Sequence, residues 1–323
     1  MLRTAPTLLL LSTLLSTLLA AQVAVGREVV AMGTELGIEI EAADRRTALA
    51  ASEALVLAVE AVEQRLSVWR PDSDVSRINA AAVGKAVSVA PSTVADLQWG
   101  LRFACRVGGA FDATAGPLIA VYGLREQPRW PRDRELAAAL ADVGARHFGL
   151  TATAVVRHRS GSAFDCDGYA KGVALDQGLA AATAAGARRV FCDFGGQVMN
   201  HGEAARPVEL EIADPDDRGR TVHRLRLRPG CSAATSGNSR RAVMVDGGRL
   251  GHLIDPRTGR PARDFGSVTV IAPDATTADA AATALFVLGP DRGREMALRL
   301  HLDAVFVLRD ACGAPRIQTT TIR

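Results

Sequence analysis

Helix-like and strand-like stretches follow one another in this chain without the regular strand–helix–strand rhythm of a doubly wound sheet. That irregular order limits the fold more than any other feature. Residues 28 to 42 alternate apolar and polar positions as a half-buried strand does, with an interruption at Met32-Gly33-Thr34. Residues 46 to 66 have helical periodicity and run into a loop at Arg70-Pro71-Asp72-Ser73-Asp74. A second helix is expected from a cap at Ser92 or Thr93 to near Gly108-Gly109, and a third over 134 to 146. Strands are expected at 148 to 158 and 189 to 193, and a helix opens after Asp165-Cys166-Asp167-Gly168 and reaches about Ala185. Charged, alternating segments at 207 to 213 and 221 to 228 read as an exposed antiparallel hairpin. Helices at 276 to 288 and 290 to 301 and strands at 267 to 271 and 303 to 308 close the chain. The pattern is that of an α+β protein, and it contains no internal repeat or clear linker.

The 323 residues are enough for one large domain with a substantial core. A formal charge of +3, with no run of Lys and Arg, excludes a nucleic-acid footprint. The N-terminus has the layout of an export signal: Arg3, an apolar stretch from Leu8 to Leu19, then small residues at Ala20, Ala21, Ala24 and Gly26. The stretch is shorter than the ~20 apolar residues a membrane span needs. The expected organisation is therefore a signal peptide over about 1–24 and one domain over 25–323, with no transmembrane segment in the mature chain. No Cys follows the apolar stretch, which points to a soluble periplasmic protein rather than a lipid-anchored one. Five cysteines (Cys105, Cys166, Cys192, Cys231 and Cys312) leave an odd thiol if the others pair, and none has metal-finger spacing.

No phosphate-binding glycine loop, H-E-x-x-H or G-x-S-x-G occurs in a plausible context, so any phosphate site is built another way. Asp279 and Thr283 share a helix face at i and i+4. A carboxylate with a hydroxyl suits Mg²⁺, although Thr276, Thr277 and Asp279 also read as ordinary residues of a helix start. Asp165 and Asp167 precede Gly168 at another helix start, as phosphate or cation contacts or as caps. Lys171 is an anion contact or a solvated helix residue. Ala110-Phe111-Asp112 places a ring and a carboxylate beside glycines, and Trp69 precedes Pro71, so each fits either a flat ligand or simple packing. Gly195-Gly196 permits a tight turn or close approach of a ligand. His252, beside Gly251, Asp255 and Arg257, is the histidine best placed to accept a proton; the other five have no such company.

Seven marks, taken in order, resemble the FAD:protein FMN transferase (ApbE-type) family. They are Met32-Gly33-Thr34, Ser67 to Asn79, Phe111 to Leu118, Asp165 to Gly172 with Asp176, Gly195-Gly196 with Thr235-Ser236-Gly237, His252 to Pro261, and Ala278-Asp279 to Leu285. They span about residues 29 to 310. The resemblance implies an α+β fold of mixed, largely antiparallel sheets with packed helices and a flavin cleft between two halves. It implies Mg²⁺ on the side chains of Asp279 and Thr283 and on a backbone oxygen near Gly168. FAD would meet Met32, Trp69, Ala110, Phe111, Asp112, Asp165, Lys171, Leu253 and Ile254, with His252 catalytic. Cys166-Asp167 departs from the family's apolar-then-small pair, and Trp69 stands where another aromatic is common. The implied activity is Mg²⁺-dependent transfer of the FMN moiety to a Thr or Ser of an acceptor protein of the exported redox machinery, with release of AMP. A Mg²⁺-dependent FAD pyrophosphatase, or a periplasmic flavin binder without turnover, would use the same loops.

Overall fold

The structure is a computed structural model that describes residues 23–238, 242–310 and 312–321. The expected signal peptide falls almost entirely outside these residues; Val23 and Ala24 open the first strand. Eight strands form one sheet in which spatial order equals chain order, and every neighbouring pair is antiparallel. In sequence they are Val23–Ala31, Thr34–Ala42, Arg189–Phe194, Gln197–His201, Cys231–Gly237, Gly266–Ala272, Asp303–Arg309 and Pro315–Thr320. Everything else is inserted between consecutive strands of this meander.

The interruption at Met32-Gly33 is the two-residue turn of a hairpin, because Ala31 pairs with Thr34. Both turn residues have positive φ, 46° and 73°, as the tightest hairpin turns require. Gly195-Gly196 makes the equivalent turn between the third and fourth strands. Successive turns of an antiparallel meander fall at alternate ends. Met32-Gly33, Gly195-Gly196 and the junctions at Gly237 and Gly266 therefore all lie at one end of the sheet.

One face of the sheet is covered by helices Arg45–Leu66, Ala170–Ala184 and Ala275–Arg299, the last broken at Gly289 ahead of Pro290. Strand alternation separates the two faces. Ala304 and Phe306 join the main core under the helices, while Val305 and Val307 face the other way and pack with Ile212. Ile212 belongs to the hairpin Val208–Ala213 and Thr221–Leu227, which lies on the outer face as its alternating charges lead one to expect. A smaller core gathers Leu118, Tyr122, Ala139, Val143, Leu250 and Ile254 beside the main one. Among the described residues no helix is long and apolar enough to cross a membrane.

Several local expectations shift. Pro91 opens the second long helix, with Ala90 as its cap, because proline suits the first helical position; Ser92 and Thr93 lie inside. The loop after Pro71 contains a short helix, Asp74–Ala80, capped by the Ser73 hydroxyl. The segment 148 to 158 is two short strands, Phe148–Leu150 and Ala154–Arg157, paired with each other. All five cysteines are free thiols, and Cys166 and Cys192 are fully buried.

Candidate active site

A cleft of about 950 Å³ runs across the turn end of the sheet, and the thirteen residues that the resemblance assigns to flavin, metal or catalysis all line it. At its floor, helices Ala170–Ala184 and Ala275–Arg299 meet with almost no space between backbones. A Cβ on Gly172 would sit 2.4 Å from the Ala275 carbonyl oxygen, so only glycine allows this approach. The contact lets the Gly172 amide donate to Asp279 Oδ2 at 3.2 Å.

Capping of the second helix is done by other residues. The Asp274 carboxylate accepts from the Thr277 amide at 2.7 Å. Asp176, from the neighbouring helix, accepts from the Ala275 and Thr276 amides at 2.8 and 2.9 Å and from the Thr276 hydroxyl. Burial pushes the Asp176 carboxyl above the usual range, against the pull of these donors. Asp279 therefore sits a turn beyond the cap, with Thr283 one turn further on the same face, and both line the cleft.

Around this pair lie the Lys171 ammonium, 3.6 Å from Asp279 Oδ2, and the Ser236 hydroxyl, 3.5 Å from that of Thr283. Gly168 faces them: a Cβ there would come within 3.0 Å of the Phe111 ring and 3.8 Å of the Thr283 hydroxyl. Among the described residues no group of three His, Cys, Asp or Glu side chains forms a metal cluster. The donors that do converge are one carboxylate, hydroxyls and backbone. Such a set fits a hard ion that takes few protein ligands, as Mg²⁺ does, and not a metal that prefers sulfur or imidazole ligands.

Phe111 is both core and lining. It meets Phe103 and Tyr169 edge-on at 5.7 Å, and its neighbour Ala110 is fully buried. The Asp112 carboxylate is turned back on its own loop, where it accepts from the Thr114 amide and hydroxyl at 2.8 and 2.7 Å. Met32, in its left-handed turn, is held by the Glu63 carboxylate, which accepts from the Met32 amide at 3.1 Å. A non-glycine residue kept at positive φ marks a turn fixed by its surroundings.

Trp69 is 63% exposed at the lip. The Arg125 guanidinium lies 5.3 Å from its ring centroid and also pairs with Asp165 and, at 3.2 Å, with Asp167. Burial, and then the adjacent Asp167, raises the Asp165 carboxyl above its ordinary range, while Arg125 opposes the shift. Arg125 thus ties the lip to the turn that carries Gly168. Nothing in its sequence context, Leu124-Arg125-Glu126, signalled this role, and the same holds for Glu63; Ser236 stood in the Thr235-Ser236-Gly237 mark but was given no role of its own.

His252, Leu253 and Ile254 form the opposite wall. The segment is shaped by backbone bonds from Asp255 to Arg260 (2.8 Å), Gly259 to Asp255 (2.8 Å) and Ala262 to Leu253 (2.8 Å). The Arg257 guanidinium is fixed by two hydrogen bonds to Asp255, at 2.9 and 2.8 Å. Asn238 packs against Gly251, just ahead of the histidine. Among the described lining residues, seven carboxylates outnumber three Lys or Arg side chains.

Comparison with known proteins places these features in a wider set. The pattern of the ApbE family matches residues 32–306. A Rhodobacter capsulatus protein named FAD:protein FMN transferase is 34% identical over 284 residues, covering 86% of this chain. The match covers 54% of that protein, so the chain spans about half its length. A Klebsiella pneumoniae protein of the same name is 29% identical over 298 residues, covering 87% of this chain and 83% of that one. Among solved structures, the ApbE protein of Thermotoga maritima superposes with a TM-score of 0.80 at 29% identity, covering 91% of this chain and 96% of that one. The flavin transferase ApbE of Vibrio cholerae does so with a TM-score of 0.78 at 26% identity, covering 93% and 97%.

Proposed function

The chain belongs to the ApbE family, and on that premise we propose that it is a transferase moving the FMN moiety of FAD onto a protein hydroxyl. The acceptor is a Thr or Ser side chain of a partner protein, and AMP is released. The observation that carries this reading is the convergence of Asp279, Thr283, Gly168 and Lys171 at the floor of one cleft, with Trp69, Phe111 and His252 around it. A volume of about 950 Å³ is at the upper end of small-molecule pockets, the size a dinucleotide demands.

The reaction is an in-line displacement at the FMN-side phosphorus. A bond forms from the acceptor oxygen to phosphorus, the bridging P–O bond to AMP breaks, and the hydroxyl proton passes to His252. An alcohol is a weak nucleophile near neutral pH, so removing that proton as the bond forms is His252's contribution. Asp279 and Thr283, with the Gly168 turn, would hold Mg²⁺, which would neutralise charge developing on the diphosphate oxygens. Lys171 adds a fixed positive charge beside Asp279. Phe111 and Trp69 offer ring faces to the flat parts of FAD, and Met32 and Glu63 define the wall beside them. The N-terminal apolar stretch is the reason to assign the protein to the periplasm, with an acceptor in the exported redox machinery.

The test is to incubate the mature chain with FAD, Mg²⁺ and candidate acceptor proteins and read intact masses. The expected result is a gain of one FMN on an acceptor, abolished by chelation and slowed about a hundredfold by His252→Ala. Release of free FMN and AMP with no labelled acceptor would instead identify a pyrophosphatase. FAD held unchanged in the presence of acceptor would identify a binding protein.

A further inference from the structure

Arg218 lies at the tip of the outer-face hairpin, between Ala213 and Thr221, and lines the mouth of the cleft. The hairpin runs along the side of the sheet away from the helices, so its tip reaches the cleft opposite Asp279 and Lys171. Three cationic side chains line the cleft among the described residues. Lys171 is paired with Asp279, and Arg125 with Asp165 and Asp167. Arg218 is exposed and makes no ion pair with any described residue.

The tip that carries it is braced. Arg309 grips Asp216 with two hydrogen bonds, at 2.5 and 2.6 Å, and reaches Asp264 at 3.1 Å. Asp214 accepts from the Asp216 amide at 2.9 Å, its own amide donates to the Arg220 carbonyl at 2.8 Å, and Pro215 packs against Gly266. The acidic neighbours facing the mouth already have cations of their own: Glu211 pairs with Arg224 and Asp214 with Arg220. The backbone that carries Arg218 is thus fixed at the entrance, and the guanidinium is open to solvent.

We propose that the hairpin tip is the docking point for the acceptor protein, with Arg218 receiving a carboxylate of the acceptor close to the hydroxyl that is modified. This rests on the transfer reading above. The chemistry selects the occupant: a planar guanidinium binds carboxylates and phosphates through paired hydrogen bonds. On that reading the diphosphate of FAD is provided for at the helical floor, by Lys171 and by the Mg²⁺ that Asp279 would hold, whereas Arg218 is at the exposed mouth on the other wall. A macromolecular acceptor cannot enter the cleft whole and must be met there.

The test uses Arg218→Glu and Arg218→Lys in the full chain, with the acceptor domain that is labelled in the mass assay. That domain is taken either intact or with the carboxylates nearest its modified hydroxyl changed to amides. Arg218→Glu is expected to raise KM for the intact acceptor about tenfold or more, as for loss and reversal of a charge-assisted pair. KM for FAD and kcat should move less than about twofold, and the Lys variant should fall in between. The wild-type enzyme should lose the same factor on the amide acceptor and on raising salt, while Arg218→Glu should prefer the amide form. An unchanged acceptor KM in Arg218→Glu overturns the proposal, and so does a rise in KM for FAD instead. If the wild-type chain labels no acceptor at all, it is the transfer reading that fails, a result separate from either of these.

Discussion

The two walls of the cleft are built by different physics. The floor and helical wall rest on the main core: helices in backbone contact at Gly172, an N-terminus capped twice by Asp274 and Asp176, and stacked rings of Trp99, Phe103 and Tyr169 behind Phe111. The wall carrying His252 touches the main core through Leu253 and Ala262, and otherwise rests on a small satellite core, on local turn bonds, and on a chain of ion pairs. Those pairs run from Asp216 through Arg309 and Asp264 to Arg249, in the strand just before the histidine. Packed apolar contacts and buried hydrogen bonds fix groups to fractions of an ångström, whereas part-exposed ion pairs contribute little each and are screened by salt. Under the proposed transfer, the group that must sit still relative to a diphosphate is on the rigid wall. The groups that would meet a second protein are on the wall held by the weaker, screened contacts.

The largest effect is expected at the floor. Asp279→Asn keeps the shape but removes the charge, and activity is expected to fall about 10³-fold or more, the several kcal/mol associated with a metal Lewis acid. Isothermal titration of Mg²⁺ in the presence of FAD should show the loss directly. Retention of tight Mg²⁺ binding in this variant would sink the floor assignment. On the opposite wall, His252→Ala should lower kcat by roughly 10²-fold, the lower range for a general base, with Mg²⁺ binding intact. If both variants lost Mg²⁺ binding equally, the two walls would not be separable units.

The difference between the walls also governs what the sequence could reveal. The helical wall was legible because its chemistry is local. Asp279 and Thr283 are one turn apart, and Asp165 to Lys171 is a single turn entering a helix, so spacing alone put each of these sets on one face, while their assignment to a metal came from the family resemblance. The sequence left Asp279 open as a cap, because the residues that do the capping come from Asp274 and from Asp176, about 100 positions away. Met32-Gly33 appeared as a blemish in one strand, since a two-residue hairpin differs from a broken strand only in what pairs with what. Arg125, Glu63 and Arg218 had no local signature at all. Each acts through partners or a position supplied by segments far along the chain, and a lone Arg or Glu in a polar stretch reads as solvated surface.

The rigidity of the helical wall depends on the Gly172 contact. In Gly172→Ala the new methyl overlaps the Ala275 carbonyl, and the two helices must separate. Overpacking of this kind costs about 1–3 kcal/mol, to be read as a lower urea midpoint at unchanged slope. Because the Gly172 amide also holds Asp279, the variant should need more Mg²⁺ for half-maximal activity. A variant that loses stability with no change in Mg²⁺ requirement would show that the helix contact does not position the carboxylate.

The smallest effect is expected on the other wall, and it is set by pH. Hydrogen bonds from Arg309 hold the Asp216 carboxyl below its ordinary value of 3.8, so its folded form binds a proton less readily than its unfolded form. The clasp's contribution is fully present above the unfolded value and is lost as pH falls through the depressed folded one. At pH 5 to 8 it should be constant, and only below about pH 4 should the hairpin tip loosen. Asp216 is half exposed, so solvent screens the pair and the global effect is small. Amide hydrogen exchange corrected for intrinsic rates is the suitable measurement: protection over residues 214–220 should drop between pH 5 and pH 3, while the amides of the Ala170–Ala184 helix keep theirs. Arg309→Gln should bring the tip's pH 3 behaviour up to pH 6. Equal loss of protection on both walls at low pH would mean that the ion-pair chain is not what distinguishes them.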